Sequence, residues 1–571
     1  MNKYLGITIG PIIKTFSTAR KPRELWKASY MFSYLMQMLL QEFKNEGYIK
    51  IISPGIEEIE SFLEVGTYPD RMFCCYPKDK DLKITKIKEG VITKCAEDWG
   101  IQGKDVDAIK EYLKIYSVEI IRKENENPIT LLNQLLDYLE LENFSIDGTK
   151  EETFKEFLFK ISTPKIFETA MNSSRFTVPT LAEISSAQLR KIDGERYTEI
   201  KRNYPFAYNG LTLGKELKQL LHEKQSENSS GEPDENKFLS DLKKKFSKEF
   251  KTPHKYICVV YADGDNVGKY VNSLKLEDKE NEKNELTAFS DRMLTFGVGK
   301  CFYDEDKKEK KKTQGACDII QKYQGFPIYA GGDDLLFIAP VISGIDGGEK
   351  DEKGNAVITE KTIFDLLKEI DSIFEKLNLV SKDGVSIPTM SYGIAIVYHK
   401  FPLYEALNHA RYQLFEVAKK KEKQKDAVAW IYQKNSGSSV SGSYSKSNEY
   451  LVNAFDSLLK SIDPSDGNME NLISAVAHKL KQNIPILALM ITEKHQRKTG
   501  VDNDRLSAFF DMTLDRPNKK KKELEYLNAV EYLLKALLQK HDYEVEPAIN
   551  DLYGMLRTAK FVKGLEDDKD E

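Results

Sequence analysis

Apolar and polar positions divide the chain into segments of different period. Tyr4–Ile9 reads as a strand ending at Gly10-Pro11. Behind Pro22, the residues Leu25, Phe32, Leu35, Met36, Leu39 and Phe43 recur at helical spacing and predict a long helix. Tyr48–Ile52 predicts a second strand, closed by Ser53-Pro54-Gly55, so the chain opens on an α/β layer. From about Ile101 to Phe159 the pattern changes. Leu131, Leu132, Leu135, Leu136 and Leu139 form one amphipathic stripe, which predicts a helical insertion. Pro179–Ile184 starts another helix, and polar Glu223–Lys237 predicts an exposed loop.

The clearest unit runs from Tyr256 to about Tyr432. Tyr256–Ala262 is continuously apolar, as a strand buried on both faces should be. A helix is predicted over Leu286–Cys301. Phe326–Ala330 and Leu335–Ala339 predict two strands joined in a tight hairpin by Gly331-Gly332-Asp333-Asp334. A second helix is marked by Ile363, Leu366, Leu367, Ile370, Ile373, Phe374 and Leu377. The strand Met390–Tyr398 and the helix Leu403–Ala418 follow. The order β-α-β-β-α-β is the ferredoxin-like, or palm, arrangement. Asn435–Asn448 is Ser/Gly-rich and predicts a linker, after which the chain reads as helices, with a polar tail beyond Gly564.

Composition narrows the class. A chain of 571 residues is too long for one ordinary domain. Its 85 Lys+Arg against 90 Asp+Glu leave a net charge of −5, which excludes a uniformly basic nucleic-acid coat. No apolar run reaches the roughly 18 residues that a membrane span needs, and the first residues lack the pattern of a signal peptide. Six cysteines without a C-x-x-C spacing argue against a disulfide scaffold or a structural zinc site, and point to a reducing cytoplasm.

Two acidic clusters fall within the palm-like unit. Asp263-Gly264-Asp265 ends the buried strand, and Asp333-Asp334 sits at the hairpin tip. In this topology the two strands are neighbours, so the clusters meet at one sheet edge. Converging carboxylates repel unless cations lie between them, which makes Asp263, Asp333 and Asp334 candidate ligands for Mg²⁺ or Mn²⁺. Two such ions can activate a ribose hydroxyl and stabilise a leaving pyrophosphate. Gly331 and Gly332 can take positive φ and let a nucleotide approach the backbone, and Gly264 can do the same beside Asp263.

YADGDNVGKY followed by YAGGDDLLFIAP resembles the cyclase-like palm of the large subunit of type III CRISPR effector complexes. Diguanylate cyclases are more distant relatives. GPIIKTFSTARKPRELWKASYMFSYL, GTYPDRMF at Gly66–Phe73, VPTLAEI at Val178–Ile184 and the stretch Ser391–Lys420 are similar to the type III-B (Cmr) branch. The resemblance covers most of the chain, most densely residues 1–75 and 255–437. It implies an α+β protein with two ferredoxin-like palm domains, helical insertions and a helical C-terminal domain. Its expected divisions are a noncatalytic palm-like domain with a helical insertion at 1–175, a mainly helical connection at 176–250, a catalytic palm at 251–434 and C-terminal helices at 449–571.

The resemblance also implies a mechanism. A guide RNA in a complex of Cmr subunits pairs with target RNA, and the palm then converts ATP into a nucleotide second messenger. Asp263, Asp333 and Asp334 match the family's metal-binding and catalytic carboxylates. Lys419 matches a lysine that can neutralise the triphosphate, and Ser391 is a candidate for the nucleotide pocket. Asp265 is a weaker candidate, as a turn or supporting residue. The product implied is a cyclic oligoadenylate or AMP joined to S-adenosylmethionine. The competing readings are a structural subunit with an inactive palm and a free-standing diguanylate or adenylate cyclase. None of the seven histidines precedes residue 222, and His541-Asp542 reads as helix-end chemistry, so DNA cleavage by this chain is not expected. The lysine clusters 243–245, 307–312 and 519–522 read as solvated faces.

Overall fold

The computed structural model describes residues 2–55, 65–101, 103–121, 127–141, 151–152, 178–204, 235–275, 285–299, 301–304, 309–350, 356–381, 384–422, 425–494 and 498–566. The first unit is a sheet of β1 (Asn2–Gly10), β2 (Lys50–Ser53), β3 (Arg71–Pro77) and β4 (Lys114–Ile121) in the antiparallel order β2-β3-β1-β4. Helix α1 (Pro22–Asn45) connects β1 to β2, while α2 (Ile84–Asp98) and α3 (Lys104–Tyr112) connect β3 to β4. This is the β-α-β-β-α-β order of a ferredoxin-like sheet.

One expectation is corrected here. The stretch read as a helical insertion contains β4, which pairs with β1 from Lys3↔Ile121 to Gly10↔Lys114. As an edge strand it has only one neighbour in the sheet and stays half exposed, so it lacks the apolar run of a central strand. The Leu stripe does form a helix, α4 (Pro128–Glu140), with Leu132 and Leu136 buried and Leu131 exposed.

Helix α1 begins with Glu24 accepting from the backbone N–H groups of Arg20 and Lys21, which satisfies donors left free at a helix start. It is buried along nearly its whole length because it lies between two sheets. Ser29 Oγ donates to Ile328 O of the second sheet at 2.7 Å.

That second sheet contains β5 (Tyr256–Asp265), β6 (Phe326–Gly331), β7 (Asp334–Pro340), β8 (Thr389–Tyr398), β9 (Ala427–Gln433) and β10 (Ser439–Ser445). Their order is β10-β9-β8-β5-β7-β6, with only β8 and β9 parallel among these neighbours. Helices α5 (Val267–Ser273), α6 (Glu285–Val298) and α7 (Ile363–Glu375) follow along the chain. Helix α8 (Leu403–Tyr412) continues as a π-helix over Gln413–Lys421. It lies close against β8 because Gly393 has no side chain; a Cβ there would stand 2.2 Å from Ala410 O. The predicted hairpin is present as β6 and β7, while a further hairpin, Ile342–Lys350 with Ala356–Thr362, was not anticipated.

The Ser/Gly-rich stretch read as a linker is instead β10, paired antiparallel with β9. Small residues are needed there because neighbours press from both sides. A Cβ on Gly442 would meet the Trp430 ring at 2.3 Å, and a Cβ on Gly554 would meet Ser441 O at 2.1 Å. Gly554 belongs to the last helix, α10 (Val545–Val562), which packs on β10 beside α9 (Lys521–Lys540). Trp430 Nε1 donates to Thr558 Oγ1 at 2.9 Å, and Tyr432 stacks on Phe561. The C-terminal helices therefore share one core with the second sheet. Most of the predicted loop Glu223–Lys237, part of the lysine cluster 307–312 and the end of the tail lie outside the described residues. Among the described residues, no helix is long and apolar enough to cross a membrane.

Candidate active site

β5 and β7 run side by side, with Ala262 opposite Leu335, so the end of β5 meets the tip of the β6–β7 hairpin. Asp333 lies directly against Gly264. A Cβ on Gly264 would sit 2.7 Å from Asp333 Oδ2 and 2.8 Å from its Cβ. The two acidic clusters thus converge as expected, and a glycine makes the contact possible. Gly332 turns the hairpin at φ +67°, and Gly331 pairs with Asp334.

Asp333 belongs to the hairpin turn and Asp334 begins β7, and the two carboxylates differ in exposure. Asp333 is half-buried and lines a cavity; Asp334 is exposed and is not among that cavity's lining residues. Desolvation pushes Asp333 up to about 6. Desolvation and the charge of Asp333 push Asp334 above the usual carboxylate range, although its contact with solvent moderates that rise.

A fourth carboxylate, missed in the sequence reading, belongs to the first unit. Ala330 N donates to Gly66 O at 2.8 Å, and Tyr329 Oη donates to Tyr68 O at 3.4 Å, which docks the turn 66–70 on β6. This brings Asp70 close enough for its charge to raise both Asp333 and Asp334. Its one sequence signal is a carboxylate in the Gly/Pro-containing stretch GTYPDRMF. The adjacent Arg71 is tied down by Asp137 at 2.6 Å, Glu140 at 3.0 Å and Asn133 at 2.9 Å.

Lys419 reaches the same edge from the π-helical turn. Its ammonium pairs with Asp263 and donates to Gly264 O at 3.0 Å, and it stands 3.6 Å from Asp265 Oδ1. Burial and the nearby Lys425 pull its pKa down to about 7, while direct contact with Asp263 works in the opposite direction and favours the charged form. Asp265 is fully buried. Its Oδ2 accepts from Ser391 Oγ at 2.6 Å, from Asp426 N at 2.8 Å and from Thr389 Oγ1 at 3.2 Å. Ser391 is also fully buried, donates to Asp265 and accepts from Ala427 N. It is not among the lining residues of the cavity.

That cavity, of about 370 Å³, lies between the two units. Phe73 and Ile129 come from the first; Val267, Phe289 and Met293 come from the second. Arg71, Asn133, Asn272 and Ser290 add polar groups, and the floor ends on Gly332 and Asp333. An apolar slot with a few polar groups and carboxylates at one end suits a flat base carrying a charged chain.

The donor set was tested for a divalent ion. Among the described residues, no three His, Cys, Asp or Glu side chains are arranged to hold one. Asp263, paired with Lys419, and Asp333, beside the Gly264 backbone, nevertheless offer hard oxygen donors of the kind such an ion takes. The chemistry of this donor set fits the group, and Asp263 and Asp333 are the residues that would hold it. His541, by contrast, lies far along the chain at the end of α9 with Nε2 on Asp551 at 2.8 Å, which agrees with helix-end chemistry.

Comparison with known proteins adds independent findings. Residues 256–429 match the family model for the Cas10/Cmr2 second palm domain, and residues 4–102 match that for the N-terminal region of the CRISPR-associated protein Cmr2. The Cmr2 subunit of Pyrococcus furiosus is 28% identical over 203 residues, covering 34% of this chain and 20% of the relative. The Cmr2 subunit of Saccharolobus solfataricus is 26% identical over 127 residues, covering 20% of this chain and 12% of the relative. The matches thus span a fifth or less of those relatives' lengths. Among solved structures, a chain of the type III-B Cmr-beta complex in its apo state aligns with a TM-score of 0.44 at 13% identity, covering 99% of this chain and 82% of that one. A chain of the Csm1–Csm4 cassette in complex with pppApA aligns with a TM-score of 0.47 at 10% identity, covering 98% and 69%. Both family models fall on the units that carry the site, so the chain resembles the Cas10/Cmr2 large subunit in its N-terminal region and in its second palm.

Proposed function

We propose that this chain is the signalling subunit of a type III-B CRISPR effector complex, a target-RNA-activated nucleotidyltransferase that converts ATP into a nucleotide second messenger and releases pyrophosphate. The observation that carries this reading is that Asp333, at the cavity, lies against Gly264 of the strand end whose Asp263 is paired with Lys419.

The cavity takes the adenine base between the apolar side chains of Phe289, Val267 and Ile129, with Asn133, Asn272 and Ser290 available for its polar edge. Gly332 presents bare backbone, so the polyphosphate can lie close to the hairpin. Asp263 and Asp333, with Asp334 beside them, hold Mg²⁺ or Mn²⁺; two such ions, when bound, neutralise the polyphosphate and make the attacking hydroxyl more acidic. Lys419 exchanges its contact with Asp263 for the triphosphate and balances the charge that builds on the leaving pyrophosphate. Asp334, next in sequence to Asp333, is the candidate to take the hydroxyl proton. Asp265 and Ser391 do not touch the nucleotide in this reading; they hold the loop and the lysine from behind. The first palm lacks a Gly-Gly-Asp-Asp hairpin and serves as a noncatalytic wall that contributes Asp70 and Arg71.

The acceptor is either a second ATP, which leads to a cyclic oligoadenylate, or S-adenosylmethionine, which leads to an AMP conjugate. Other Cmr subunits, guide RNA and target RNA are the partners, and no membrane is involved. Mass spectrometry of products formed from ATP, with and without S-adenosylmethionine, separates the two acceptors. A purified complex that turns over no ATP when target RNA is added would refute the reading.

A further inference from the structure

Two residues that follow Lys419, Glu422 and Asp426, are each held by a lysine, one from a C-terminal helix and one from the turn that leads into the first of those helices. Glu422 closes the π-helical turn three residues after Lys419. Its Oε1 accepts from Lys540 Nζ at 2.7 Å and from Ser443 Oγ at 2.8 Å. Lys540 comes from α9 and also donates to Ser443 O and to Asp551 of α10. The other is Asp426, whose backbone N–H holds Asp265 at 2.8 Å. Asp426 Oδ1 pairs with Lys446 Nζ at 3.1 Å, and Lys446 N donates to Asp426 O at 2.6 Å. Lys446 also pairs with Asp371 at 2.6 Å; that carboxylate accepts from Tyr392 Oη at 2.8 Å. Two residues after Lys446, Asn448 caps the first C-terminal helix, Glu449–Ser461.

The backbone in this segment is unusual. Lys425 and Asp426 are successive non-glycine residues with φ of +55° and +45°. L-residues avoid this region unless the surroundings hold them there, and the pairs with Lys446 and Asp265 do so. Asp265 Oδ1 faces Lys419 at 3.6 Å without a hydrogen-bond donor. It therefore acts on the lysine through charge alone, and Asp426 N shares with Ser391 and Thr389 in holding its other oxygen. Three links join the C-terminal helices to one ammonium: Lys540 to Glu422, Lys446 to Asp426, and Asp426 to Asp265.

From this geometry we infer that Lys540 and Lys446 are positioning residues that set Lys419 through Glu422 and Asp426, so that the packing of the C-terminal helices governs how firmly the site grips a nucleoside triphosphate. The inference rests on the nucleotide reading given above. Glu422 and Ser443 are buried and the charged partners around them are half-buried, so the contacts of this clamp are shielded from full solvent screening. Any displacement of α9 against β10 moves Glu422, and with it the turn that carries Lys419.

The test uses the full chain. Lys540→Met removes the charge and keeps the stem, while Lys540→Arg keeps the charge. Hydrogen exchange is followed over residues 413–426 and over the hairpin 326–340, and binding of a fluorescent ATP analogue is measured with Mg²⁺ present. Lys540→Met is expected to speed exchange in 413–426 at least tenfold, leave the hairpin unchanged and weaken ATP binding about fivefold; Lys540→Arg is expected to restore most of both. In a Lys419→Met background, Lys540→Met is expected to cause no further loss of ATP binding, because it acts through that lysine. Unchanged exchange in 413–426, or losses that add in the double variant, would overturn the clamp. A wild-type chain that binds no ATP overturns the nucleotide reading instead.

Discussion

Gly264 is the narrowest point of the site, since any side chain there would enter the space of Asp333 and Val267. Gly264→Ala is expected to lower stability by about 1–3 kcal/mol through overpacking and to abolish nucleotide product. Adding Asp333→Ala to that variant should recover most of the stability, as seen in thermal melts, while activity stays lost. Asp333 and Asp334 behave differently from core residues. Both carboxyls are pushed upward by burial, and Asp333 by its field raises Asp334 further. Removing both therefore relieves repulsion, and the Asp333→Ala/Asp334→Ala variant should melt no lower than the wild type. Asp263, Asp333 and the hairpin glycines were legible because their spacing follows from strand order. Asp70 was not, because nothing local in GTYPDRMF tells which strand of a distant unit it will face.

At the scale of elements, the least legible strand is β10. Its Ser/Gly composition has low strand propensity, and only the pressure of Trp430 on one side and α10 on the other makes those residues fit. Gly554→Ala tests this directly. In an exposed helix interior the change would stabilise by up to about 1 kcal/mol; here the new Cβ would meet Ser441 O, and a loss of about 1–3 kcal/mol is expected in denaturant titrations. The short turn Thr252–Lys255 before β5 carries a different test. His254 is fully buried, with Nδ1 accepting from Lys251 N and Nε2 on Gln188 Oε1. Burial depresses its pKa to about 3, so it stays neutral in the fold while the unfolded chain protonates near its ordinary value. Its contribution is thus present at neutral pH and is lost as pH falls below the unfolded value. Between pH 7 and pH 5, the wild type should lose about 2 kcal/mol relative to His254→Asn, which keeps the acceptor but does not titrate in this range. The strand β4 was hidden for the opposite reason to β10: its half-exposed edge residues lack a buried run, and an amphipathic stretch beside it suggested helix.

For the whole molecule, two ferredoxin-like sheets share helix α1, and the cavity forms only where they meet. The fold class could be read from strand and helix order, whereas the cavity could not, because its walls come from stretches far apart in sequence. The net charge of −5 is consistent with the proposal that the decisive charges are a few carboxylates at one sheet edge rather than a basic RNA-binding surface. The most direct test of the central claim is mass spectrometry of products from the target-RNA-activated complex, supplied with ATP and Mg²⁺ and with or without S-adenosylmethionine, comparing the wild type with Asp333→Ala/Asp334→Ala. The expected result is a nucleotide product and pyrophosphate from the wild type and neither from the variant, with guide and target RNA bound equally by both. Undiminished product from the variant, or none from an activated wild-type complex, would contradict it.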